Sequence, residues 1–242
     1  MKILSIGNSF SEDAQRYLRR IADSAGYPMK TANLVIGGCS LRTHYLNMLD
    51  DAKKYAFHFN SEYTGLQISI RDALVSDEWD VITLQQASPL SPHYESYQPY
   101  LGELAAYVKK YCPHAKIMLQ QTWAYEAGAE RIEKAAHCES AGDMYRKITD
   151  AYARAAEDIR ADGIIPSGHA MWKIVENGIE KIHRDTFHAS LGVGRFLLGL
   201  VWYGYLTGRP VSEVPFDSFD VPVTPEEREL AVRTAREVLN QI

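Results

Sequence analysis

Five short apolar runs, separated by longer stretches with apolar residues at helical spacing, constrain this chain more than any other feature. The runs are KILSI at 2–6, ANLVI at 32–36, DVITL at 80–84, AKIMLQ at 115–120 and GIIP at 163–166. Each has the length of a strand buried on both faces of a parallel sheet. The segments 11–25, 40–52, 68–76, 94–111 and 139–161 carry the helical pattern. In the last of these Met144, Ile148, Tyr152 and Ala155 share one face. Strand, helix and strand repeated in this way predict an α/β fold, a three-layer α/β/α domain around a doubly wound, parallel, five-stranded sheet.

One segment breaks the rhythm. Residues 53–67, KKYAFHFNSEYTGLQ, alternate aromatics around Asn60 and Gly65 and predict an inserted hairpin or an irregular loop. Two further helices are expected at 190–206 and 224–240, the second with Thr224 as N-cap and Pro225 in its first turn. No internal repeat, linker or low-complexity segment interrupts the 242 residues, so one domain spanning 1–242 is expected.

Composition excludes several classes of function. Hydrophobic residues make up 46% and charged residues 24% of the chain, the balance of a globular protein rather than a disordered one. The net charge is -5 and the 26 Lys and Arg form no basic tract, which argues against nucleic acid or an anionic membrane as partner. Met1 leads directly into KILSI, with no apolar core and cleavage site of a signal peptide, and no run reaches the length of a membrane span. The expected location is therefore the cytoplasm, unless residues preceding Lys2 have been removed. Cys39, Cys112 and Cys138 are odd in number and lack CxxC spacing, so buried reduced thiols are expected rather than disulfides or structural zinc.

In open parallel sheets ligands bind beyond the carboxyl ends of the strands. The loops at that rim are Gly7-Asn8-Ser9, Gly37-Gly38-Cys39-Ser40, Gln85-Gln86-Ala87-Ser88, Gln121-Thr122-Trp123 and Ser167-Gly168-His169, joined by HRDTFH at 183–188. Ser9 is a candidate nucleophile, and as such it needs a base that is oriented by a third group. Asp185 and His188 stand three apart, so in a helical turn they project to one side. There Asp185 can hold one imidazole nitrogen while the other takes the Ser9 proton. Backbone N–H groups of Ser9 and Gly38, with a glutamine amide from the loop after the third run, can form an oxyanion hole. The glycines matter because the backbone must approach the substrate closely.

These residues resemble the SGNH (GDSL-like) hydrolases, and most closely a bacterial branch whose N-terminus reads IGNSFS. The matching blocks are Gly7-Asn8-Ser9, Gly38 or Gly37, and Asp185-Thr186-Phe187-His188. The resemblance implies a flavodoxin-like three-layer fold and ester hydrolysis through an acyl-enzyme, without a cofactor. The substrate it implies is a small ester with a short acyl group, foremost acetyl on a carbohydrate. Two departures stand out. Asn8 replaces the usual Asp before the serine, and LQQAS replaces the usual Gly-x-Asn-Asp block. Gln86 is the expected oxyanion donor there, with Gln85 the alternative.

The same residues admit competing roles. Ser9 or Ser11 can simply cap the first helix, with Glu12 and Asp13 complementing its positive end. His183, Asp185 and His188 can be metal ligands, with His169 a distant fourth. A non-catalytic carbohydrate-binding module can use rim aromatics, foremost Trp123 and Trp172 and then Tyr125, Tyr94 and Tyr97. GNS lacks the glycine spacing and lysine of a phosphate-cradling loop, which sets nucleotide or flavin proteins aside.

Overall fold

The computed structural model describes residues 1–241. The chain opens with β1 (Lys2–Gly7), α1 (Ser9–Gln15), α2 (Leu18–Ser24), β2 (Lys30–Val35) and α3 (Leu41–Leu49). A hairpin of β3 (Tyr55–Phe59) and β4 (Glu62–Ile68) follows, then α4 (Ile70–Leu74), β5 (Val81–Leu84) and α5 (Tyr100–Tyr111). The second half contains β6 (Lys116–Gln120), α6 (Arg131–Lys134), α7 (Ala141–Ile159), β7 (Gly163–Ile165) and α8 (Ser167–Glu176). The chain closes with α9 (Val193–Thr207) and α10 (Pro225–Leu239).

The five expected runs form the parallel part of one sheet ordered β4-β3-β2-β1-β5-β6-β7. β1 pairs in parallel with β2 on one side and β5 on the other, so the chain reverses its direction of travel across the sheet at β1. That reversal marks the carboxyl end of β1, where Ser9 emerges, as the place in an open parallel sheet where ligands bind. Segment 53–67 proves to be a hairpin that joins the sheet: β3 pairs antiparallel with β2 and extends it to seven strands. α1, α2, α8 and α10 all pack on α9, while α3, α4, α5 and α7 make the second group of helices. α9 is the most buried helix, closed in from Phe196 to Gly204.

Three helical expectations needed local revision. The 11–25 helix starts earlier, at Ser9, and divides at Arg16, whose N–H reaches Asp13 O instead of a full turn back. The 94–111 segment divides into a 3₁₀ turn at Tyr94–Tyr97 and α5, because Pro99 between them has no N–H for a helical ladder. Ser167-Gly168-His169, expected as loop, opens α8. Here Gly168 packs so tightly that a Cβ would lie 2.1 Å from Thr122 O. At 224–240 the expected cap forms: Thr224 Oγ1 accepts from Glu227 N, and Glu227 returns a bond to Thr224 N. All three cysteines are buried and unpaired. Among the described residues no helix is long and apolar enough to cross a membrane.

Candidate active site

The turn after β1 is built by Gly7 and Asn8. A Cβ on Gly7 would lie 2.4 Å from Ser11 Oγ, so only glycine lets the strand end this close to the helix that follows. Asn8, not Ser9 or Ser11, is the N-cap of α1: its Oδ1 accepts from Phe10 N at 3.0 Å. The same Oδ1 accepts from Gln85 Nε2 at 2.8 Å, and Asn8 Nδ2 donates to Cys39 O at 3.1 Å. Ser11 is fully buried, its single hydroxyl hydrogen lying between two acceptors, Asn8 O at 2.7 Å and Asn33 Oδ1 at 2.9 Å. With the cap supplied by its neighbour, the Ser9 hydroxyl is free for another partner.

That partner is His188. Ser9 Oγ lies 2.8 Å from His188 Nε2, and His188 Nδ1 lies 2.7 Å from Asp185 Oδ2. Asp185 also organises its own turn, because Oδ1 accepts the N–H groups of His188 at 2.9 Å and Phe187 at 3.4 Å. Burial pushes the Asp185 carboxyl up, but the side-chain and backbone bonds from His188 outweigh it and hold the pKa below the ordinary carboxylate value. The turn carries backbone strain at Thr186, a β-branched residue at φ +73°. Its carbonyl accepts Glu126 N at 2.8 Å, and Trp123 Nε1 donates to Phe187 O at 2.7 Å, so the loop after β6 holds the strained turn in place.

The two proposed backbone donors stand open. Among the described residues the N–H groups of Ser9 and Gly38 donate to no protein acceptor. Gly38 takes φ +64°, a conformation that suits glycine. Gln86 does not fit its expected role. Its Nε2 donates to Ser96 O and Oγ, and its Oε1 accepts from Leu41 N and Ala87 N, so the whole amide is spent on bracing loops. Gln85, the alternative, is also buried and turns its Nε2 to the Asn8 cap.

The rim aromatics are corrected as well. Trp123 is fully buried and stacks on Phe10 with ring centroids 4.0 Å apart, so it supports the His188 turn rather than facing a ligand. Trp172 lies on α8 and stacks on Tyr145 of α7 at 4.8 Å, its Nε1 bonded to Glu176. Tyr125 and Tyr97 are buried, while Tyr94 OH bonds Asp158 on α7. The residue that does lie against the site is Phe187, whose ring centroid is 3.9 Å from that of His188 and carries the Arg131 guanidinium on it at 4.1 Å.

The three-ligand metal set does not assemble. His183 is buried and its Nε2 bonds Ala124 O, while His169 bonds Tyr145 OH and Gln241. Burial lowers the His183 pKa, only partly offset by the Ala124 carbonyl. Among the described residues no three His, Cys, Asp or Glu side chains are grouped to hold a metal ion. A cavity of about 840 Å³ opens at the opposite rim, around Met1, Lys2, Trp79 and His114, at the amino ends of β1, β5 and β6. Its position is the wrong one for the strand-end rule, and it contains none of the residues assembled around Ser9.

A serine, a histidine and an aspartate in bonded sequence, at the point where the strand order reverses, sit on the fold of the SGNH hydrolases. A candidate SGNH hydrolase from Slackia heliotrinireducens shares that fold with a TM-score of 0.62 and 22% identity, over 85% of this chain and 98% of that one. An acetylxylan esterase from Geobacillus stearothermophilus matches with a TM-score of 0.52 and 14% identity, over 89% and 94%. More particularly, the chain belongs to the DUF4886 family, a domain of unknown function whose model matches residues 2–237. A DUF4886 family protein from Bacteroides uniformis ATCC 8492 is 34% identical, with a TM-score of 0.91 over 99% of this chain and 95% of that one. No curated protein matches it.

Proposed function

We propose that this protein is a serine esterase. The observation that carries the reading is the chain of contacts from Ser9 Oγ through His188 to Asp185, at 2.8 and 2.7 Å. In the proposed reaction Ser9 Oγ attacks the ester carbonyl while His188 Nε2 takes its proton. Asp185 fixes the tautomer and stabilises the imidazolium. The oxyanion accepts hydrogen bonds from the open N–H groups of Ser9 and Gly38, the former in the first turn of α1. His188 then gives its proton to the departing alcohol. Water attacks the acyl-enzyme with His188 as base, and Ser9 is regenerated.

The proposed substrate is a small acyl ester, foremost an acetyl group on a carbohydrate. Support comes from acetylxylan esterases among the proteins that share the fold. The binding-module alternative loses its platform, since Trp123 is buried and Trp172 is stacked on Tyr145. A fluorophosphonate probe tests the nucleophile: the reading expects one covalent adduct, on the peptide bearing Ser9. Labelling elsewhere, with Ser9 unmodified, contradicts it.

A further inference from the structure

Asp13 is a carboxylate only 1% exposed, placed one helical turn after Ser9 on α1. A residue four positions on lies beside its predecessor on the helix surface, so Ser9 and Asp13 face the same neighbour. That neighbour is the loop carrying the base. Ser9 meets His188, and Asp13 Oδ2 accepts the N–H of the next residue, Ala189, at 3.1 Å. The loop is thus pinned to the helix at two successive residues.

Two arginines complete the pin. Arg184 Nη1 donates to both Asp13 oxygens at 2.9 Å and also to Ala189 O. Arg195, from the first turn of α9, donates its Nε to Asp13 Oδ1 at 2.8 Å, and its Nη2 lies 2.8 Å from the same oxygen. Arg184 and Ala189 bracket the Asp185-to-His188 turn, so the carboxylate closes that turn at its base from both ends. Charge-assisted, nearly dry bonds of this kind hold geometry more rigidly than neutral ones. None of these groups touches the reacting atoms.

Resting on the triad reading above, we propose that Asp13, with Arg184 and Arg195, is the positioning device that holds His188 at Ser9. The strained Thr186 turn needs such an anchor, since a strained backbone persists only where its surroundings over-determine it. Loss of the anchor lets the imidazole drift from the hydroxyl without altering the substrate's surroundings.

The test compares Asp13→Asn, Arg184→Lys and a distant control, Thr234→Ala, which removes the α10 hydroxyl that accepts from Asn177 at the end of α8. Hydrolysis of p-nitrophenyl acetate is measured below each variant's own melting midpoint, alongside the low-field proton resonance of the His188 Nδ1–H. Asp13→Asn is expected to lower kcat by about 10²-fold with KM unchanged, the scale of a small misplacement of a catalytic group. The low-field resonance should broaden or vanish. Arg184→Lys, which keeps the charge but shortens the reach of the nitrogen that donates to both Asp13 oxygens, should fall between it and wild type. Thr234→Ala should lose thermal stability but keep its kcat. Should Asp13→Asn not fold, Arg184→Lys alone decides. Folded variants at wild-type kcat, or a fall in kcat with the resonance unchanged, overturn the positioning role. If Ser9→Ala is inactive in the same series, that failure belongs to Asp13 alone; if Ser9→Ala remains active, the triad reading itself has failed.

Discussion

Replacing Asn8 by Ala separates capping from catalysis at the start of α1. Asn8 is 2% exposed and makes three bonds: to Phe10 N, to Gln85 Nε2 and to Cys39 O. Loss of an N-cap costs about 1 kcal/mol. Leaving Gln85 Nε2 and Cys39 O without their partner adds about 1–3 kcal/mol for each group that finds no substitute. A total near 3 kcal/mol corresponds to a fall of about 6–12 °C in Tm for a domain of this length. Ser9→Ala removes only a hydroxyl bonded to His188, so its cost is expected to stay within about 1 kcal/mol. Asn8→Asp should lose less than Asn8→Ala, because its carboxylate still accepts both bonds and suits a helix start, although it meets Cys39 O repulsively. Differential scanning calorimetry of the three variants measures this order. An Asn8→Ala midpoint within about 2 °C of wild type, or a larger loss in Ser9→Ala than in Asn8→Ala, would refute the assignment of the cap.

Further expectations concern charge and donors. Asp185→Asn should lower kcat by about 10⁴-fold, because an amide favours the wrong imidazole tautomer; a change of only twofold in steady-state kinetics would remove Asp185 from the triad. Gln86→Ala should leave kcat near wild type while lowering Tm, since its amide braces Leu41, Ala87 and Ser96; a hundredfold loss of turnover in the folded variant would return it to the oxyanion hole. The depressed Asp185 pKa gives the folded state stability that is present above the unfolded carboxyl pKa and lost as pH falls through the folded value. The Tm difference between wild type and Asp185→Asn should therefore shrink in acid. His44 is buried, with burial pushing its pKa from the ordinary 6.5 down to about 3, so it stays neutral in the folded chain while the unfolded chain protonates below 6.5. As pH drops from 6.5 towards 3, stability should fall by up to about 1.4 kcal/mol per pH unit from this residue, and the slope should be shallower in His44→Gln.

Much of the fold was legible because burial on both faces leaves a plain mark: five apolar runs became the five parallel strands. The serine after β1 and the Asp-x-x-His before α9 were legible for a related reason, since strand ends and helix starts fix where short polar motifs emerge. Capping was less legible, because Asn8, Ser9 and Ser11 can all cap and only the extended backbone of Asn8 selects it. The glutamines failed at the level of register. On an extended segment adjacent residues face opposite ways, so LQQAS alone does not assign Gln85 and Gln86 to their partners. Trp123 and Trp172 were misread because an aromatic near a strand end looks available until Phe10 and Tyr145 cover it. Asp13 looked like a helix-dipole residue because its partners are 171 and 182 positions away.

Whether Ser9 is the nucleophile of a metal-independent esterase is decided by hydrolysis of p-nitrophenyl acetate by wild type and Ser9→Ala, each with and without EDTA. Wild type is expected to turn the ester over with or without the chelator, and a Ser9→Ala variant that melts close to wild type is expected to be inactive. Turnover retained by Ser9→Ala, or lost from wild type on chelation, would contradict this assignment.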